Sequence, residues 1–308
     1  MRALIVTNMY PSPERPGLGS FVADQVAALR RAGEADVEVF AFAPGGYAQA
    51  ARALWARRGG ERVDIVHAHF GLTQWPALAV RARARAVTLH GTDLAHPCSR
   101  PATLAALRTN DLVAVVSEPL AAAVPRWAMR GRPAVLPAGV DLHRFRAIDR
   151  ARARERLGLA ADQPYLLFPA DPGRPEKRYA HALEVAGDVP LLTLGNVAPE
   201  EVPTWINAAN AVLVPSEREG FGLAVLEALA CDVPVLATPV GVHPEALAGI
   251  PGTLCAEFDA ECWRDALAPH LAAADPRVEG RARAEAWSTD RMARRVLDAW
   301  RTLLARGR

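Results

Sequence analysis

The chain has 308 residues, of which 51% are hydrophobic and 23% are charged, a composition typical of a folded globular protein. The formal net charge at pH 7 is only +2, and 35 of the 36 basic residues are arginine, which we attribute to codon usage, so no nucleic-acid partner is expected. The apolar runs have the length of strands and not of membrane-spanning helices, and Cys98, Cys231, Cys255 and Cys262 lack the spacing of a zinc site or a disulfide framework.

Strand-like apolar runs alternate with amphipathic helical segments along the chain. Continuously apolar strands are typical of a parallel sheet covered on both faces, so the alternation predicts a doubly wound, Rossmann-like α/β architecture. In the first half, strands are predicted at residues 3–7, 37–42, 65–68, 86–89, 112–116 and 134–136, with helices such as 21–31 and 119–128. In the second half, strands are predicted at residues 165–168, 191–194, 211–214 and 233–237.

A charged segment without a predicted strand, residues 149–163, separates the two halves. We therefore predict two α/β domains, residues 1–148 and residues 149–289, that face each other across a cleft. A last helix, predicted at 290–305 within the segment 290–308, is expected to pack back onto the first domain. Ligands of such folds bind at the carboxyl ends of the strands, where helix N-termini offer N–H groups, which favours an anionic ligand.

The charge is divided unevenly between the halves. Residues 1–145 carry 17 arginines and 11 acidic residues, whereas residues 146–308 carry 19 basic and 23 acidic residues. A basic first half favours an anionic acceptor or an acidic membrane surface, although ordinary solvated charge explains the same pattern. The first residues predict a strand and not a signal peptide, so we expect a cytoplasmic protein, with peripheral contact to the inner face of the membrane as an open alternative.

The clearest functional pattern lies between residues 215 and 228. Gly220 and Gly222 follow an apolar strand and leave the turn without side chains, so that a ligand can approach the backbone. A helix is predicted to begin near Gly222, with the positive end of its dipole at that turn. Glu219 precedes this helix, and Glu227 lies in an apolar run where a carboxylate requires a partner, so both are expected to contact one ligand.

Glu219 and Glu227 form a Glu-x7-Glu pattern within the sequence SEREGFGLAVLEALA. Together with further motifs in a fixed order, this pattern resembles glycosyltransferase family 4, whose members are retaining, nucleotide-sugar-dependent enzymes of the GT-B fold. The resemblance covers nearly the whole chain. The other matching segments are residues 64–69, 88–93, 115–117, 137–141 with Phe145, 168–178 and 234–241.

The resemblance implies a role for each matching residue around the donor. Glu219 would contact hydroxyls of the donor sugar, and Glu227 would hold the ribose hydroxyls. The backbone of Gly220, Phe221 and Gly222 would approach the sugar or the phosphate.

The same resemblance assigns the leaving diphosphate to Lys177 and Arg174 and places His90 at the donor sugar beside that phosphate. Many family members carry the arginine five residues before the lysine, where this chain has Pro172, so the assignment depends more on Lys177, the only lysine of the chain. The sequence has no Asp-x-Asp motif to hold a metal, and a lysine, an arginine and a helix N-terminus can supply the positive field, so no metal and no cofactor are expected. No carboxylate is an obvious covalent nucleophile, which leaves the same-face mechanism assisted by the departing phosphate.

Two glycine loops complete the implied donor site. The loop of Gly17 and Gly19 would close on the donor from the first domain; it begins like a dinucleotide fingerprint, but the third glycine is missing. The loop of Gly195, Asn196 and Val197 would help to recognise the base, which can be that of a UDP-, GDP- or ADP-sugar. The acceptor is equally open and can be a glycan, a lipid-linked molecule or a small molecule.

Two alternative activities remain from the sequence. A sugar-nucleotide epimerase shares the overall fold. His67 and His69 lie on one face of a predicted strand, as in metal-dependent hydrolases, with His90 and Asp93 as further candidate ligands. The two-domain pattern argues against the single barrel of such hydrolases.

His181 and His243 receive no role in either activity. Both are expected to be ordinary residues of the surface or of loops.

Overall fold

The computed structural model of the chain describes residues 1–58, 60–195 and 197–306. By its internal contacts the chain forms two compact units, one of Met1–Gly139 with Thr289–Arg308 and the other of Val140–Ser288. The boundary between Gly139 and Val140 precedes the predicted one at residue 148. Arg281 of the second unit donates hydrogen bonds to the carbonyls of Leu142 and Phe145, which ties the intervening segment to that unit.

The first unit is built on a six-stranded parallel sheet with the order β2-β1-β3-β4-β5-β6. All six predicted strands are present, but β3 and β4 begin earlier than predicted because their first residues, Arg62 and Arg81, pair with each other outside the apolar stretch. The strands are β1 (Arg2–Thr7), β2 (Asp36–Ala41), β3 (Arg62–His69), β4 (Arg81–Leu89), β5 (Leu112–Val115) and β6 (Ala134–Val135).

Short helices connect the strands of the first unit. They are α1 (Ser20–Ala32), α2 (Tyr47–Arg58), α3 (Gln74–Ala77), α4 (Thr92–Ala95), α5 (Arg100–Ala106) and α6 (Glu118–Ala123), with 3₁₀ turns at Gly71–Thr73, Leu107–Thr109 and Arg126–Ala128. The single helix predicted at 119–128 is therefore wrong. It is divided before Pro125, which lacks an N–H and disfavours helical backbone in the residue before it.

The second unit is a five-stranded parallel sheet with the order β11-β10-β9-β7-β8. Four of its strands were predicted, whereas β11 has only two residues, too few to give a periodic signal. The strands are β7 (Leu166–Phe168), β8 (Leu191–Thr193), β9 (Ala211–Val214), β10 (Val235–Ala237) and β11 (Leu254–Cys255). The helices are α7 (Arg150–Leu157), α8 (Tyr179–Ala186), α9 (Val202–Ala208), α10 (Leu223–Ala230), α11 (His243–Leu247), α12 (Ala260–Ala272) and α13 (Arg281–Ala284), with 3₁₀ turns at Pro175–Lys177 and Glu285–Trp287.

Helix α7 occupies the charged segment that marks the predicted domain boundary. Arg150 and Arg154 are nevertheless buried. Arg150 donates to the carbonyls of Ala274 and Pro276, and Arg154 donates to the carbonyl of Ala208. Backbone acceptors of the second unit thus compensate the buried guanidinium groups, and the segment packs as part of that unit.

The final helix, α14 (Thr289–Arg306), packs beside α1 against the sheet of the first unit. Its buried face comprises Met292, Ala293, Val296, Leu297 and Trp300. Trp300 also donates from Nε1 to Nδ1 of His67 at 3.1 Å. A second apolar core, which includes Leu54 of α2 and Leu104 of α5, covers the opposite face of the sheet. Of the helices that the structure describes, none combines the length and the apolar character that a membrane span requires.

We expect Trp300→Ala to destabilise the first unit by about 3–5 kcal/mol, because it empties a fully buried site and leaves a hydrogen-bond acceptor of His67 unpaired. The matched control is Trp55→Ala, since Trp55 on α2 is 69% exposed and its loss should change stability by less than about 0.5 kcal/mol. Urea unfolding followed by tryptophan fluorescence measures both changes. Equal stability of the two variants would contradict the packing described for α14.

Candidate functional site

Two loops meet at the carboxyl ends of the neighbouring strands β7 and β9. The backbone N–H of Glu217 donates to the carbonyl of Glu176 at 2.9 Å, which joins the loops directly. Lys177 Nζ lies 2.6 Å from Glu219 Oε1, and the two side chains are only 15% and 10% exposed. Ser216 Oγ donates to the same carboxylate oxygen at 2.7 Å. The predicted site residues Lys177 and Glu219 therefore form one ion pair that is largely shielded from water.

Lys177 ends the 3₁₀ turn Pro175–Lys177. Arg178 follows with a φ of +54°, and α8 begins at Tyr179. This left-handed residue separates the turn from α8, so Lys177 lies before the helix and not within it. The turn holds the lysine backbone at the strand end, where its side chain reaches Glu219.

Helix α10 begins where the sequence predicts. Gly222 precedes it with a φ of +104°, a conformation that favours glycine, and a Cβ at this position would lie 2.5 Å from Nε2 of His243. The carbonyl of Phe221 accepts from the N–H of Val242 at 2.7 Å, which fixes the turn against the loop after β10. Leu223, the first residue of α10, therefore follows Glu219 by four positions, and the N–H groups of its first turn lie at the positive end of the helix dipole.

His243, expected at the surface or in a loop, is instead part of the buried interior of the second unit. It is the first residue of α11 and is fully buried, with Nδ1 donating to the carbonyl of Thr238 at 2.8 Å. Burial lowers the pKa of the ring, which is therefore neutral and fills the space that Gly222 leaves. His181 likewise lies on α8 and not in a loop, with its ring stacked on Phe258.

Arg174 is held by a local partner. Its Nε and Nη2 donate to Oε1 of Glu176 at 2.9 and 2.6 Å, and its side chain is 52% exposed. The structure therefore does not bring Arg174 into the Lys177–Glu219 pair. A diphosphate would have to draw the guanidinium away from Glu176.

Two further predicted donor residues lie on the second unit. Glu227 is half-buried on α10. Gly195 follows β8, and a Cβ there would lie 3.5 Å from the Cα of Asp171, so the loops after β8 and β7 pack closely. Asn196 of the predicted base-recognition loop lies outside the described residues.

In the first unit, His90 lies against two other histidines. His69 Nδ1 is 3.1 Å from His90 Nε2, and the two rings lie edge to edge and nearly coplanar, with centroids 5.3 Å apart. The ring of His67 stacks on that of His69 with centroids 4.8 Å apart. Burial lowers the pKa of His67 and His90 well below the ordinary value and that of His69 to about 4, so all three rings are neutral at pH 7.

The contacts of these residues do not form the metal site that the hydrolase alternative requires. His67 Nε2 bonds Thr88 Oγ1 at 2.7 Å, and its Nδ1 accepts from Trp300. Asp93 accepts from backbone N–H groups, including that of His90. Within residues 1–58, 60–195 and 197–306, no group of three or more His, Cys, Asp or Glu side chains is placed to hold a metal ion.

The glycine loop before α1 is placed near His90. Gly19 has a φ of +66°, and a Cβ there would lie 2.2 Å from the carbonyl oxygen of Met9, so only glycine fits. Gly17 has open space around its Cα and carries no such constraint. Phe21, in the first turn of α1, packs against the His90 ring with centroids 4.9 Å apart.

Two protein-family models match the chain. The family described as Glycosyltransferase Family 4 matches residues 43–144, and the family described as Glycosyl transferases group 1 matches residues 163–272. Together they span more than two thirds of the chain.

Curated relatives carry the same kind of name. A D-inositol 3-phosphate glycosyltransferase of Mycobacterium avium (strain 104) is 35% identical over 49% of this chain and 44% of its own length. One of Frankia alni is 33% identical over 56% of this chain and 53% of its own length. The chain thus spans about half the length of the curated relatives it matches.

Solved structures share the fold over nearly the whole chain. Sucrose-phosphate synthase from Thermosynechococcus elongatus superposes with a TM-score of 0.73 at 20% identity. The superposition covers 99% of this chain and 100% of the synthase chain. Anabaena HepE in complex with UDP-glucose superposes with a TM-score of 0.71 at 14% identity. The superposition covers 97% of this chain and 99% of the HepE chain. The predicted GT-B fold class is confirmed.

We expect acid to destabilise the first unit through the buried His67 and His69 and the partly buried His90. Their folded-state pKa values lie below the ordinary value of 6.5, so the unfolded chain binds more protons below that pH. The stabilisation is complete above pH 6.5 and is lost as the pH falls towards about 4 for His69, at up to about 1.4 kcal/mol per pH unit for each histidine.

Urea unfolding across this pH range measures the effect. His69→Asn should flatten the dependence, whereas the matched control His143→Asn, at an exposed site, should follow the unsubstituted protein. The same slope in all three proteins would show that the buried rings do not titrate on unfolding.

Proposed function

Because this chain belongs to glycosyltransferase family 4, we propose that it transfers a sugar from a nucleoside-diphosphate sugar to an acceptor hydroxyl. The observation that carries the proposal is the shielded Lys177–Glu219 ion pair, whose carboxylate residue precedes the first residue of α10 by four positions. A diphosphate requires cationic and N–H donors, and sugar hydroxyls require carboxylate acceptors. The structure of HepE with UDP-glucose supports the same class of donor.

Lys177 is the residue that neutralises the leaving diphosphate in this proposal. Its ammonium has three N–H donors, of which one is directed to Glu219 and the others can bind phosphate oxygens. Glu219, held by Lys177 and Ser216, then accepts from hydroxyls of the donor sugar. Glu227 on α10 binds the ribose hydroxyls, and the backbone of Gly220, Phe221 and Gly222 faces the phosphate.

Transfer retains the anomeric configuration and requires no divalent metal in this mechanism. The bond from the anomeric carbon to the diphosphate oxygen breaks, and the acceptor oxygen bonds the same face of that carbon. The acceptor proton passes to the departing phosphate. Lys177, Arg174 after release from Glu176, and the N-terminus of α10 stabilise the charge of the diphosphate where other transferases use a metal held by Asp-x-Asp, a motif that this sequence lacks.

The acceptor is an anionic molecule, soluble or lipid-linked. The 17 arginines and 11 acidic residues of residues 1–145 favour such a partner. The relatives named for D-inositol 3-phosphate support the same chemical class. The resemblance to the family assigns His90 to the donor sugar.

We expect one of the UDP-, GDP- and ADP-sugars to raise the melting temperature, with and without excess EDTA. A donor at 100 times its Kd stabilises the fold by about 2.7 kcal/mol, because it binds the folded state alone. Glu227→Ala should lose the shift with the free nucleoside diphosphate, since ribose contacts act already in the ground state.

Stabilisation by none of the donors, or only with Mg²⁺ or Mn²⁺ added, would contradict the proposed site. Chromatography of the donor after incubation without acceptor distinguishes the epimerase alternative, which would convert the nucleotide sugar itself.

Lys177→Ala should lower kcat/KM by about 10- to 150-fold, the value of one hydrogen bond to a charged group lost in the transition state. Lys177→Arg should also be impaired, because the planar guanidinium is wider than an ammonium and does not fit between Glu219 and a phosphate oxygen.

The matched control is Arg178→Gln, which removes the neighbouring cation from a wide contact of 3.8 Å with Glu217. Steady-state kinetics with a melting curve for each variant measures the effect. A folded Lys177→Ala enzyme with unchanged kcat/KM would remove Lys177 from the mechanism.

A further inference from the structure

The proposed function gives no role to His67 or His69. His69 nevertheless contacts His90, to which the proposed function assigns the donor sugar. His69 lies at the end of β3 and is fully buried. Its Nδ1 is 3.1 Å from Nε2 of His90, and the two rings lie within 22° of parallel. A single proton must therefore lie between the two nitrogens, carried by one ring or the other.

Gln25 of α1 lies at the other ring nitrogen of His69. Its Nε2 lies 3.4 Å from His69 Nε2, and its side chain is buried. An amide nitrogen only donates, so in the arrangement proposed here Gln25 donates to His69 Nε2, and the proton of the neutral His69 ring then lies on Nδ1. His69 Nδ1–H then donates to His90 Nε2.

This arrangement leaves one tautomer for His90. Its Nε2 lone pair is occupied by His69, so a neutral His90 ring carries its own proton on Nδ1. The ring is also fixed sterically, because Phe21 packs against it with ring centroids 4.9 Å apart and the hydrogen-bonded His69 ring lies edge to edge with it. His90 can therefore offer a ligand only a hydrogen-bond donor, in one orientation.

We propose that His69 is the positioning residue of His90, fixing its ring and its tautomer so that His90 Nδ1–H donates to an oxygen of the donor substrate. The inference rests on the role of His90 in the proposed function. An N–H donor of fixed direction stabilises negative charge that develops on an oxygen as the glycosidic bond breaks. A misplaced or reversed donor loses that stabilisation without preventing the substrate from binding.

His67 provides the matched control. It lies on the same strand, is fully buried and stacks on His69 at 4.8 Å. Both of its nitrogens bond other groups, Nε2 to Thr88 and Nδ1 to Trp300. A substitution of His67 thus disturbs the same core without removing a hydrogen bond to His90.

The test compares His69→Asn, His69→Leu and His67→Leu. The Asn amide can place a donor near the position of the His Nδ1, whereas Leu has none. His69→Leu should lower kcat by about 10- to 100-fold, the range found when a residue that orients a functional side chain is removed, with little change in the KM of the donor. His69→Asn should retain most of kcat, and folded His67→Leu should match the unsubstituted enzyme.

Nitrogen-15 NMR of the histidine rings tests the inference in the resting protein. His90 should be protonated on Nδ1, and His69→Leu should abolish that preference. A His90 proton on Nε2, or an unchanged kcat in folded His69→Leu, would overturn the inference. If His69→Leu does not fold, Gln25→Leu removes the group that orients the His69 proton. An unchanged His90 tautomer in Gln25→Leu would then overturn the inference.

His90→Ala distinguishes a failure of the proposed role of His90 from a failure of the positioning role of His69. Its full activity would show that the proposed function assigns His90 wrongly, whereas the nitrogen spectra report on His69 independently of catalysis. Loss of activity in His90→Ala together with an unchanged kcat in His69→Leu would reject the positioning role alone.

Discussion

Two opposite charges buried together constrain the second unit more than any other contact of the site. Lys177 and Glu219 are 2.6 Å apart and largely shielded, and neither could be left there alone, because an unpaired charge in this position costs several kcal/mol. The requirement joins the loops after β7 and β9, which the backbone bond from Glu217 to Glu176 reinforces. A ligand therefore meets an ammonium and a carboxylate that are already in place. Because the two charges cancel, the attraction for an anion comes from the spare N–H donors of Lys177 and from the N-terminus of α10.

The first unit also buries polar side chains at its strand ends, but most of these groups are neutral. His67 and His69 end β3, and the N–H groups at His90 after β4 are bound by the buried Asp93 carboxylate. Burial raises the pKa of Asp93, and the backbone donors oppose this effect by stabilising the ionised form. The histidines avoid burying charge by remaining neutral, which makes the location of each proton a structural property of the unit. In both units the polar residues gather at the carboxyl ends of adjacent parallel strands, where side chains from separate loops can meet.

The strands could be predicted because each is a continuous apolar run, and the start of α10 because Gly222 marks it. Residues whose placement depends on distant partners could not be predicted in the same way. His243 is polar and follows a turn, so the sequence favours exposure; it is buried because Gly222, twenty-one residues earlier, has no Cβ to occupy the same space. Helix α7 was missed for a related reason, since its arginines are buried against carbonyls that only the folded unit supplies. The contact from His69 to His90 likewise required the register of β3 and β4.

Arg174 and Lys177 lie in one loop but differ in whether they must exchange a partner before they can bind an anion. The Arg174–Glu176 pair is more exposed, with Arg174 52% accessible, and pairs of this kind contribute at most about 1 kcal/mol. A diphosphate can therefore compete for the guanidinium at little cost. Lys177 needs no such exchange, because a single N–H holds it to Glu219 and its other donors remain for a ligand. The family pattern has its arginine at the position of Pro172. Arg174 lies nearer to Lys177 along the chain, so its guanidinium can reach the same phosphate charge only if its side chain moves. In the proposed function, Lys177 thus belongs to the preformed site, and Arg174 joins the site only after the anion has bound.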